Sequence, residues 1–164
     1  MKKDLVTLLK EKEIFKRGKF TLRSGKTSDY YIDLREAIGD MEILKKIINK
    51  LVLLIPQKTT CIAGSGYGGI ALASLVAFKK KLPLTLVRDK VKNHGTKNVI
   101  EGYIPTSNDA VCIIDDVFTT GSSVSDSKKK LSFTKTKFTK PVVVLNRSKS
   151  KSVLSLLSEK DLTN

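Results

Sequence analysis

Thirteen residues in the second half of the chain carry its clearest chemical pattern. The run Val111–Ser123 begins with an apolar stretch, continues with the adjacent carboxylates Asp115 and Asp116, and ends in glycine and hydroxyl-bearing residues. A strand followed by such a turn and a helix offers backbone N–H groups, hydroxyls and the positive end of the helix to a phosphate. The carboxylates suit a ribose diol or Mg²⁺ rather than the phosphate itself. The run therefore predicts a site for a phosphorylated sugar, a magnesium ion, or both.

A second turn, Gly64-Ser65-Gly66-Tyr67-Gly68-Gly69, is rich in glycine. Its glycine spacing satisfies a dinucleotide-binding pattern. That pattern is weak here, because the residues about 20 positions further on, Arg88 and Asp89, lie at a different strand end. The carboxylate-bearing run is not a P-loop, because it lacks a Gly-Lys-Ser or Gly-Lys-Thr sequence after a four-residue gap.

Lys92, His94 and Arg147 are placed in the sequence where they could bind an anion. His94 is the only histidine, and it lies two residues from Lys92 in the polar stretch 89–98. This setting favours a hydrogen-bond donor to an anion over a general base. Arg147 follows an apolar strand-like run, which puts it at the same sheet edge as Asp115 and Thr119, so we expect an anionic carboxylate partner.

The elements that must position these residues follow from the hydrophobic pattern. Continuous apolar runs alternate with helical segments, which predicts an α/β fold built on a parallel sheet. The predicted strands are Thr60–Ala63, Leu84–Val87, Ala110–Ile114 and, as the last, Pro141–Leu145. The predicted helices are Lys2–Lys12, a segment capped by Asp40 and ending near Leu54, Gly69–Phe78, and one beginning at Val124. Phe20–Leu22 and Tyr30–Asp33 flank a Ser24-Gly25 turn and predict a hairpin, and the stretch 89–98 predicts a long mobile loop or an extended hairpin.

Several ordered segments resemble the type I phosphoribosyltransferases, and among them the orotate phosphoribosyltransferase family. Val111–Ser123 resembles the signature that binds phosphoribosyl pyrophosphate (PRPP). Phe20–Gly25 with Ser28-x-Tyr30-Tyr31 resembles the N-terminal hairpin of the orotate enzymes. Arg88-x-x-x-Lys92-x-His94-Gly95, closed by Glu101-Gly102, resembles their catalytic loop, and Val144-Leu145-x-Arg147 resembles their orotate-binding strand end.

The resemblance implies one type I phosphoribosyltransferase domain over residues 1–164, with a parallel sheet core flanked by helices. A small N-terminal hairpin or hood, about residues 1–35, would pack on that core. The implied reaction transfers the 5-phosphoribosyl group of PRPP to orotate, giving orotidine 5′-monophosphate and pyrophosphate in pyrimidine (UMP) biosynthesis. Mg²⁺ is the implied cofactor, bound mainly through PRPP, with no metal site made by the protein alone. The implied assembly is a homodimer whose loop acts in the neighbouring site.

The resemblance also assigns roles to individual residues. The implied catalytic residues are Lys92, His94 and Asp116. The implied PRPP-binding residues are Arg23, Arg88, Lys92, His94, Asp115, Asp116, Val117, Phe118, Thr119, Thr120, Gly121, Ser122 and Ser123. The implied pyrophosphate loop is Gly66, Tyr67 and Gly68. The implied orotate-binding residues are Tyr31, Thr119 and Arg147.

Two alternatives stay open on sequence grounds. The first is a phosphoribosyltransferase for another base, although a neutral purine would give Arg147 no carboxylate to pair with. The second is a non-catalytic PRPP-sensing regulator that binds nucleic acid, although Lys92 and His94 are present.

Composition narrows the class of protein further. The net charge is +15, and residues 127–158 contain nine Lys or Arg but no acid. A basic surface attracts polyanions, but nucleic acid is not expected as a partner, because no RRM, zinc-finger or KH pattern occurs and aromatic residues make up only 6%. Cys61 and Cys112 lie in apolar runs without metal-ligand spacing, so we expect reduced core thiols and a cytoplasmic protein. No apolar run reaches the length of a membrane span, and the N-terminus has no signal-peptide pattern.

Overall fold

The computed structural model describes residues 2–21, 27–89 and 99–163. In chain order, the described strands are β1 (Phe15–Thr21), β2 (Thr27–Ile32), β3 (Cys61–Ser65), β4 (Leu84–Val87), β5 (Ile100–Gly102), β6 (Ala110–Phe118), β7 (Lys137–Phe138), β8 (Val142–Asn146) and β9 (Leu154–Ser158). The described helices are α1 (Lys2–Glu11), α2 (Leu34–Gly39), α3 (Met41–Leu54), α4 (Gly66–Lys80), α5 (Ser122–Leu131) and α6 (Glu159–Thr163).

The central sheet has the strand order β5-β4-β3-β6-β8-β9, with β7 beside the start of β6. Its neighbouring strands are parallel except at the β4–β5 edge, which is antiparallel. The chain winds outward from β3 to β4 in one direction and from β6 to β8 in the other. The winding therefore reverses between β3 and β6, and ligands of open α/β sheets bind outside the strand ends at such a point.

The sheet is covered on both faces, as its continuous apolar strands predict. Side chains of β6 alternate between two hydrophobic clusters. Cys112 and Ile114 join a cluster that includes residues of α1, α3 and α4. Val111 and Ile113 join a second cluster that includes Val124 and Leu131 of α5. This two-residue alternation is the pleat of a strand buried on both faces.

The first and third helices pack on the first of these faces. In α3 the buried residues are Ile43, Ile47, Ile48 and Leu51, which is helical spacing. The helix begins at the predicted cap, since the Asp40 carboxylate accepts hydrogen bonds from the backbone N–H groups of Glu42 and Ile43 at 2.9 and 3.1 Å. The α1 residues Leu5 and Leu9 are fully buried in the same cluster.

A separate two-stranded antiparallel sheet, β1 with β2, precedes the central sheet in the chain. The rings of Phe15 and Tyr30 lie 5.5 Å apart, and both side chains are buried in the first cluster. The predicted antiparallel pairing of the two strands is confirmed, but they begin earlier than predicted, at Phe15 and Thr27, and the predicted Ser24-Gly25 turn lies outside the described residues. The polar run after Phe15 gave no strand signal because most of β1 is exposed.

The α/β fold with a mostly parallel sheet is confirmed, and β4 has the predicted bounds. The prediction that Pro141–Leu145 is the last strand is wrong, since β9 pairs in parallel with β8. The helix predicted from Gly69 begins three residues earlier, at Gly66, and the one predicted from Val124 begins at Ser122. Of the stretch predicted as a loop or extended hairpin, residues 90–98 lie outside the described residues. None of the described helices is long and apolar enough to cross a bilayer.

Candidate active site

A cavity of about 660 Å³ opens at the carboxyl ends of β3 and β6, where the winding of the sheet reverses. It brings together Asp115, Asp116, the glycine-rich turn and Arg147. Its walls are formed by Thr21, Tyr31, Ile32, Asp33, Leu34, Arg35, Ser65, Gly66, Tyr67, Gly68, Gly69, Asp89, Asp115, Asp116, Val117, Ser123 and Arg147. Residues far apart in the sequence therefore meet at one sheet edge.

The two carboxylates belong to β6 itself, because this strand continues past them to Phe118. The register pairs Asp115 with Val143 and Val117 with Leu145. Each carboxylate accepts a hydrogen bond from the next backbone N–H: Asp116 N donates to Asp115 Oδ1 at 2.9 Å, and Val117 N donates to Asp116 Oδ1 at 2.8 Å. These bonds hold both side chains at the strand end.

Asp115 is the more buried of the pair, with 8% of its surface exposed. Burial raises the pKa of its carboxyl well above the ordinary value of 3.8, and the charge of Asp116 raises it further. A hydrogen bond with the Ser123 side chain opposes that rise. A buried carboxyl that releases its proton reluctantly is suited to a partner that brings hydroxyl donors or positive charge.

The glycine-rich turn passes directly over the carboxylates. A Cβ on Gly68 would lie 2.4 Å from Asp116 Oδ2, and a Cβ on Gly69 would lie 3.2 Å from Asp115 Oδ1. Gly66 has a φ of +64°, which favours glycine, and it starts α4. The absence of side chains at 68 and 69 therefore lets the backbone approach the carboxylates closely, while Tyr67 points outward with 92% of its surface exposed.

The hydroxyl-rich turn after β6 leads directly into α5, and its residues Thr119, Thr120 and Ser122 are exposed. Gly121 has a φ of +79°, and a Cβ there would lie 2.8 Å from the ring of Phe118. Thr120 Oγ1 donates to Ser122 Oγ at 3.1 Å within the turn. A small cavity of about 20 Å³ is lined here by Asp115, Val117, Phe118, Thr119, Gly121, Ser122, Ser123 and Val124. Thr119 lines only this smaller space, while Asp115, Val117 and Ser123 line both cavities.

The predicted PRPP-binding residues Val117 and Phe118 lie at the end of β6 and differ in their surroundings. The ring of Phe118 is buried and packs against Gly121 of the turn, while its carbonyl accepts from the Arg147 N–H at 2.8 Å. Val117 is half-buried and lines both cavities.

Arg147 reaches the cavity from the end of β8. Its guanidinium carbon lies 4.7 Å from the centre of the Tyr30 ring, and its Nη2 lies 3.7 Å from Glu159 Oε1. Tyr31 also lines the cavity, and its hydroxyl donates to Asp33 Oδ2 at 3.2 Å. The predicted pair Tyr31 and Arg147 therefore shares one space with Asp115 and Asp116.

The sequence analysis missed a second guanidinium in the cavity wall. Arg35 binds the Asp33 carboxylate through Nε at 2.9 Å and Nη2 at 2.5 Å. These hydrogen bonds lower the pKa of Asp33 to about 2. Asp33 also caps α2 through the Arg35 N–H, so an acid two residues before an arginine at a helix start was the available signal.

The described ends of the predicted catalytic loop are tied to other elements. Arg88 forms an ion pair with Glu101. It is not one of the described residues that line the cavity. Lys130 Nζ donates to the carbonyls of Arg88 and Asp89 at 2.8 and 3.0 Å. Asp89 does line the cavity. Arg23, Lys92 and His94 lie outside the described residues.

The described ranges 2–21, 27–89 and 99–163 contain no group of three or more His, Cys, Asp or Glu arranged to hold a metal ion. The donor set of Asp115 and Asp116 still fits Mg²⁺ in kind, because hard oxygen ligands are what that ion prefers. One or two protein carboxylates with further oxygens from a phosphorylated substrate is a common arrangement for Mg²⁺.

The chain is similar in sequence to known proteins. No protein-family model matches the chain. The orotate phosphoribosyltransferase of Methanocaldococcus jannaschii is 40% identical over 130 residues, covering 79% of this chain and 73% of that protein. The Pyrococcus furiosus orotate phosphoribosyltransferase is 36% identical over 154 residues, covering 90% and 82%.

A solved structure has a similar fold. The crystal structure of orotate phosphoribosyltransferase from Aeropyrum pernix superposes with a TM-score of 0.78 at 27% identity, covering 96% of this chain and 95% of that one. Sequence and fold lead to the same assignment: the chain belongs to the orotate phosphoribosyltransferase family.

Proposed function

We propose that this protein transfers the 5-phosphoribosyl group of PRPP to orotate, forming orotidine 5′-monophosphate and pyrophosphate in pyrimidine biosynthesis. The observation that carries this proposal is the single cavity shared by Asp115, Asp116, the glycine-rich turn and Arg147. It combines acceptors for a ribose diol, a backbone cradle for phosphate and a cation for a carboxylate. The family membership supports the same reaction.

The sugar and its 5′-phosphate would lie against the end of β6. Asp115 and Asp116 accept the ribose hydroxyls, and their negative charge stabilises positive charge that develops on the sugar as pyrophosphate leaves. The turn from Thr119 to Ser123 holds the 5′-phosphate through backbone N–H groups and hydroxyls at the start of α5. Val117 and Phe118 contribute through the main chain.

The pyrophosphate would lie under the glycine-rich turn and the catalytic loop. Gly66, Tyr67 and Gly68 offer backbone N–H groups to its oxygens. Arg23, Arg88, Lys92 and His94 supply the opposing charge and exclude water, which protects PRPP from hydrolysis. For Arg88 this role requires release from Glu101, to which it is paired in the structure.

The base would lie between Tyr31, Thr119 and Arg147. The Arg147 guanidinium binds the carboxylate that distinguishes orotate from uracil, in a charge-assisted contact. The ring nitrogen of orotate then faces the anomeric carbon of the sugar. The reaction needs no covalent intermediate with the protein, so these residues act by position and charge.

Mg²⁺ is part of the proposal as a cofactor held mainly by the oxygens of PRPP, with Asp115 and Asp116 as the adjacent protein oxygens. When bound, it would neutralise part of the pyrophosphate charge. We also propose a homodimer whose catalytic loop serves the neighbouring site. A cytoplasmic location is proposed on the two buried free thiols, Cys61 and Cys112.

A spectrophotometric assay tests the function directly. Orotate absorbance should fall when PRPP and Mg²⁺ are added to the purified protein, and it should be unchanged when PRPP is omitted. Uracil and adenine replace orotate in parallel reactions, and preferred use of either would assign a different base. The Asp115→Asn, Asp116→Asn double variant is the site control. Near-normal turnover by this folded variant would contradict the assignment of the PRPP site.

A further inference from the structure

The carboxylate of Glu159, the first residue of α6, lies next to the Arg147 guanidinium. A second cavity, of about 930 Å³, is lined by Tyr30 of β2 and by Glu159. Arg147 lines both this cavity and the one that contains Asp115 and Asp116. Successive residues of a strand point to opposite faces, so Tyr31 borders the first cavity and Tyr30 the second. Arg147 therefore lies between the proposed substrate site and Glu159.

Three side chains hold one another at this point. The Tyr30 hydroxyl donates to Glu159 Oε1 at 2.6 Å. The Arg147 guanidinium carbon lies 4.7 Å from the centre of the Tyr30 ring. Arg147 Nη2 lies 3.7 Å from the same Glu159 oxygen. Glu159 thus forms an ion pair with the guanidinium and accepts a hydrogen bond from the hydroxyl of the tyrosine on which the guanidinium lies.

This arrangement limits the freedom of a long side chain. A guanidinium over an aromatic ring is attracted to the ring face, and a carboxylate 3.7 Å from its Nη2 adds the attraction of an ion pair on one side. Tyr30 is itself fixed, since its side chain is buried and its hydroxyl is engaged. Burial and the Glu159 hydrogen bond raise the pKa of Tyr30 to about 12, so the hydroxyl remains a donor at neutral pH.

We propose that Glu159 is a positioning residue for Arg147, holding the guanidinium directly and through Tyr30 in the orientation that receives the carboxylate of the pyrimidine substrate. This inference rests on the proposed function. Glu159 does not touch the substrate. Its removal should therefore change recognition of the base and leave recognition of PRPP unaltered.

The test compares Glu159→Gln with wild type in steady-state kinetics, varying orotate and PRPP separately. Glutamine keeps the size and an acceptor for Tyr30 but has no charge for Arg147. The expected result is a rise in the KM for orotate of about two- to fivefold, the range for a partly exposed ion pair, with the KM for PRPP unchanged. Lys160→Gln is the matched control on the neighbouring residue of α6 and should leave both constants at their wild-type values.

Two further variants separate positioning from folding. Tyr30→Phe keeps the ring under Arg147 but removes its bond to Glu159, so it should raise the KM for orotate in the same direction. In an Arg147→Ala background, Glu159→Gln should produce no further change in kcat/KM for orotate, because the two residues act as one unit. Thermal unfolding of each variant reports on the fold.

The outcomes distinguish the inference from the function on which it rests. If wild-type protein forms no orotidine 5′-monophosphate, both fail. If wild type is active and Glu159→Gln has an unchanged or lowered KM for orotate, only the positioning role fails, and a lowered KM would mean that Glu159 competes with the substrate for Arg147. An equal effect of Glu159→Gln with and without Arg147 would also overturn it.

Discussion

Gly68 leaves no room for a side chain between its backbone and the carboxylate of Asp116. A Cβ built on Gly68 would lie 2.4 Å from Asp116 Oδ2 and 2.7 Å from Cγ. Gly68 belongs to α4, where alanine would otherwise be the better helix former by about 1 kcal/mol. The need for glycine at this position therefore comes from the site and not from the helix.

Gly68→Ala should separate activity from stability. The added methyl group must displace the Asp116 carboxylate from its present position, while the helix gains a better helix former. We expect the free energy of unfolding to stay within about 1 kcal/mol of wild type. We expect kcat/KM for PRPP to fall by about ten- to a hundredfold, as displacements near 1 Å do at reacting groups. Urea unfolding and steady-state kinetics measure the two effects.

Gly39→Ala is the matched control for that substitution. A Cβ on Gly39 meets nothing within 4 Å, and this residue lies at the end of α2. Its kinetics should equal those of wild type. Wild-type kinetics in Gly68→Ala, or an equal loss in both variants, would contradict the role given to the close approach.

Asp115→Asn should change how stability depends on pH. Because the pKa of Asp115 is raised in the folded protein, the folded state binds more protons than the unfolded state between the ordinary value of 3.8 and the raised value. The contribution of Asp115 to stability therefore falls as pH rises through this window. Asparagine has no charge to bury, so this part of the decline should disappear.

Urea unfolding at about pH 5 and about pH 8 measures the effect. The free energy of unfolding of Asp115→Asn minus that of wild type should be larger at the higher pH than at the lower. Asp29→Asn makes the same change of charge at an exposed position of β2 and serves as the control. A parallel decline in wild type and Asp115→Asn would mean that burial of this carboxyl costs the fold nothing.

The parts of the site that follow from local sequence were predictable. Asp115, Asp116 and the hydroxyl-rich turn lie within one continuous segment, so strand, turn and helix signals place them together. Arg147 was assigned to the correct sheet edge because the carboxyl ends of parallel strands lie at one edge. These inferences need only the strand direction and the order of elements.

The contacts between distant segments were not predictable in the same way. The bond from Tyr30 to Glu159 joins residues 129 positions apart, and no periodicity in either segment indicates it. Likewise, β9 escaped prediction because three of its five residues are only half-buried and its run is interrupted by serine. Arg35 went unnoticed because a salt bridge with a capping acid has the pattern of an ordinary helix start.

Arg147→Ala should impair recognition of orotate far more than recognition of PRPP. A charge-assisted contact with a carboxylate contributes roughly 1.5–3 kcal/mol, or about ten- to more than a hundredfold in specificity. We therefore expect kcat/KM for orotate to fall by that factor, with little change in the KM for PRPP. Wild-type protein should prefer orotate over uracil by a similar margin.

Lys149→Ala removes a nearby exposed cation and is the control for net charge. It should leave the preference for orotate intact. Equal use of orotate and uracil by wild type, or a defect of Arg147→Ala confined to PRPP, would show that the base pocket lies elsewhere.

Mixing two impaired variants tests whether the proposed catalytic loop acts across a dimer. Lys92→Ala impairs the loop and Arg147→Ala impairs the base site. If each loop serves the neighbouring subunit, a mixed dimer has one site with both defects and one site with none. Random exchange of subunits makes about half of the dimers mixed, so about a quarter of wild-type activity should return.

Activity is measured before and after exchange, with the mixed dimer isolated through two different affinity tags. If the loop acts on its own subunit, each site of the mixed dimer keeps one defect and activity stays at the level of the separate variants. No recovery in isolated mixed dimers, or a purified protein that is monomeric while active, would exclude action in the neighbouring site.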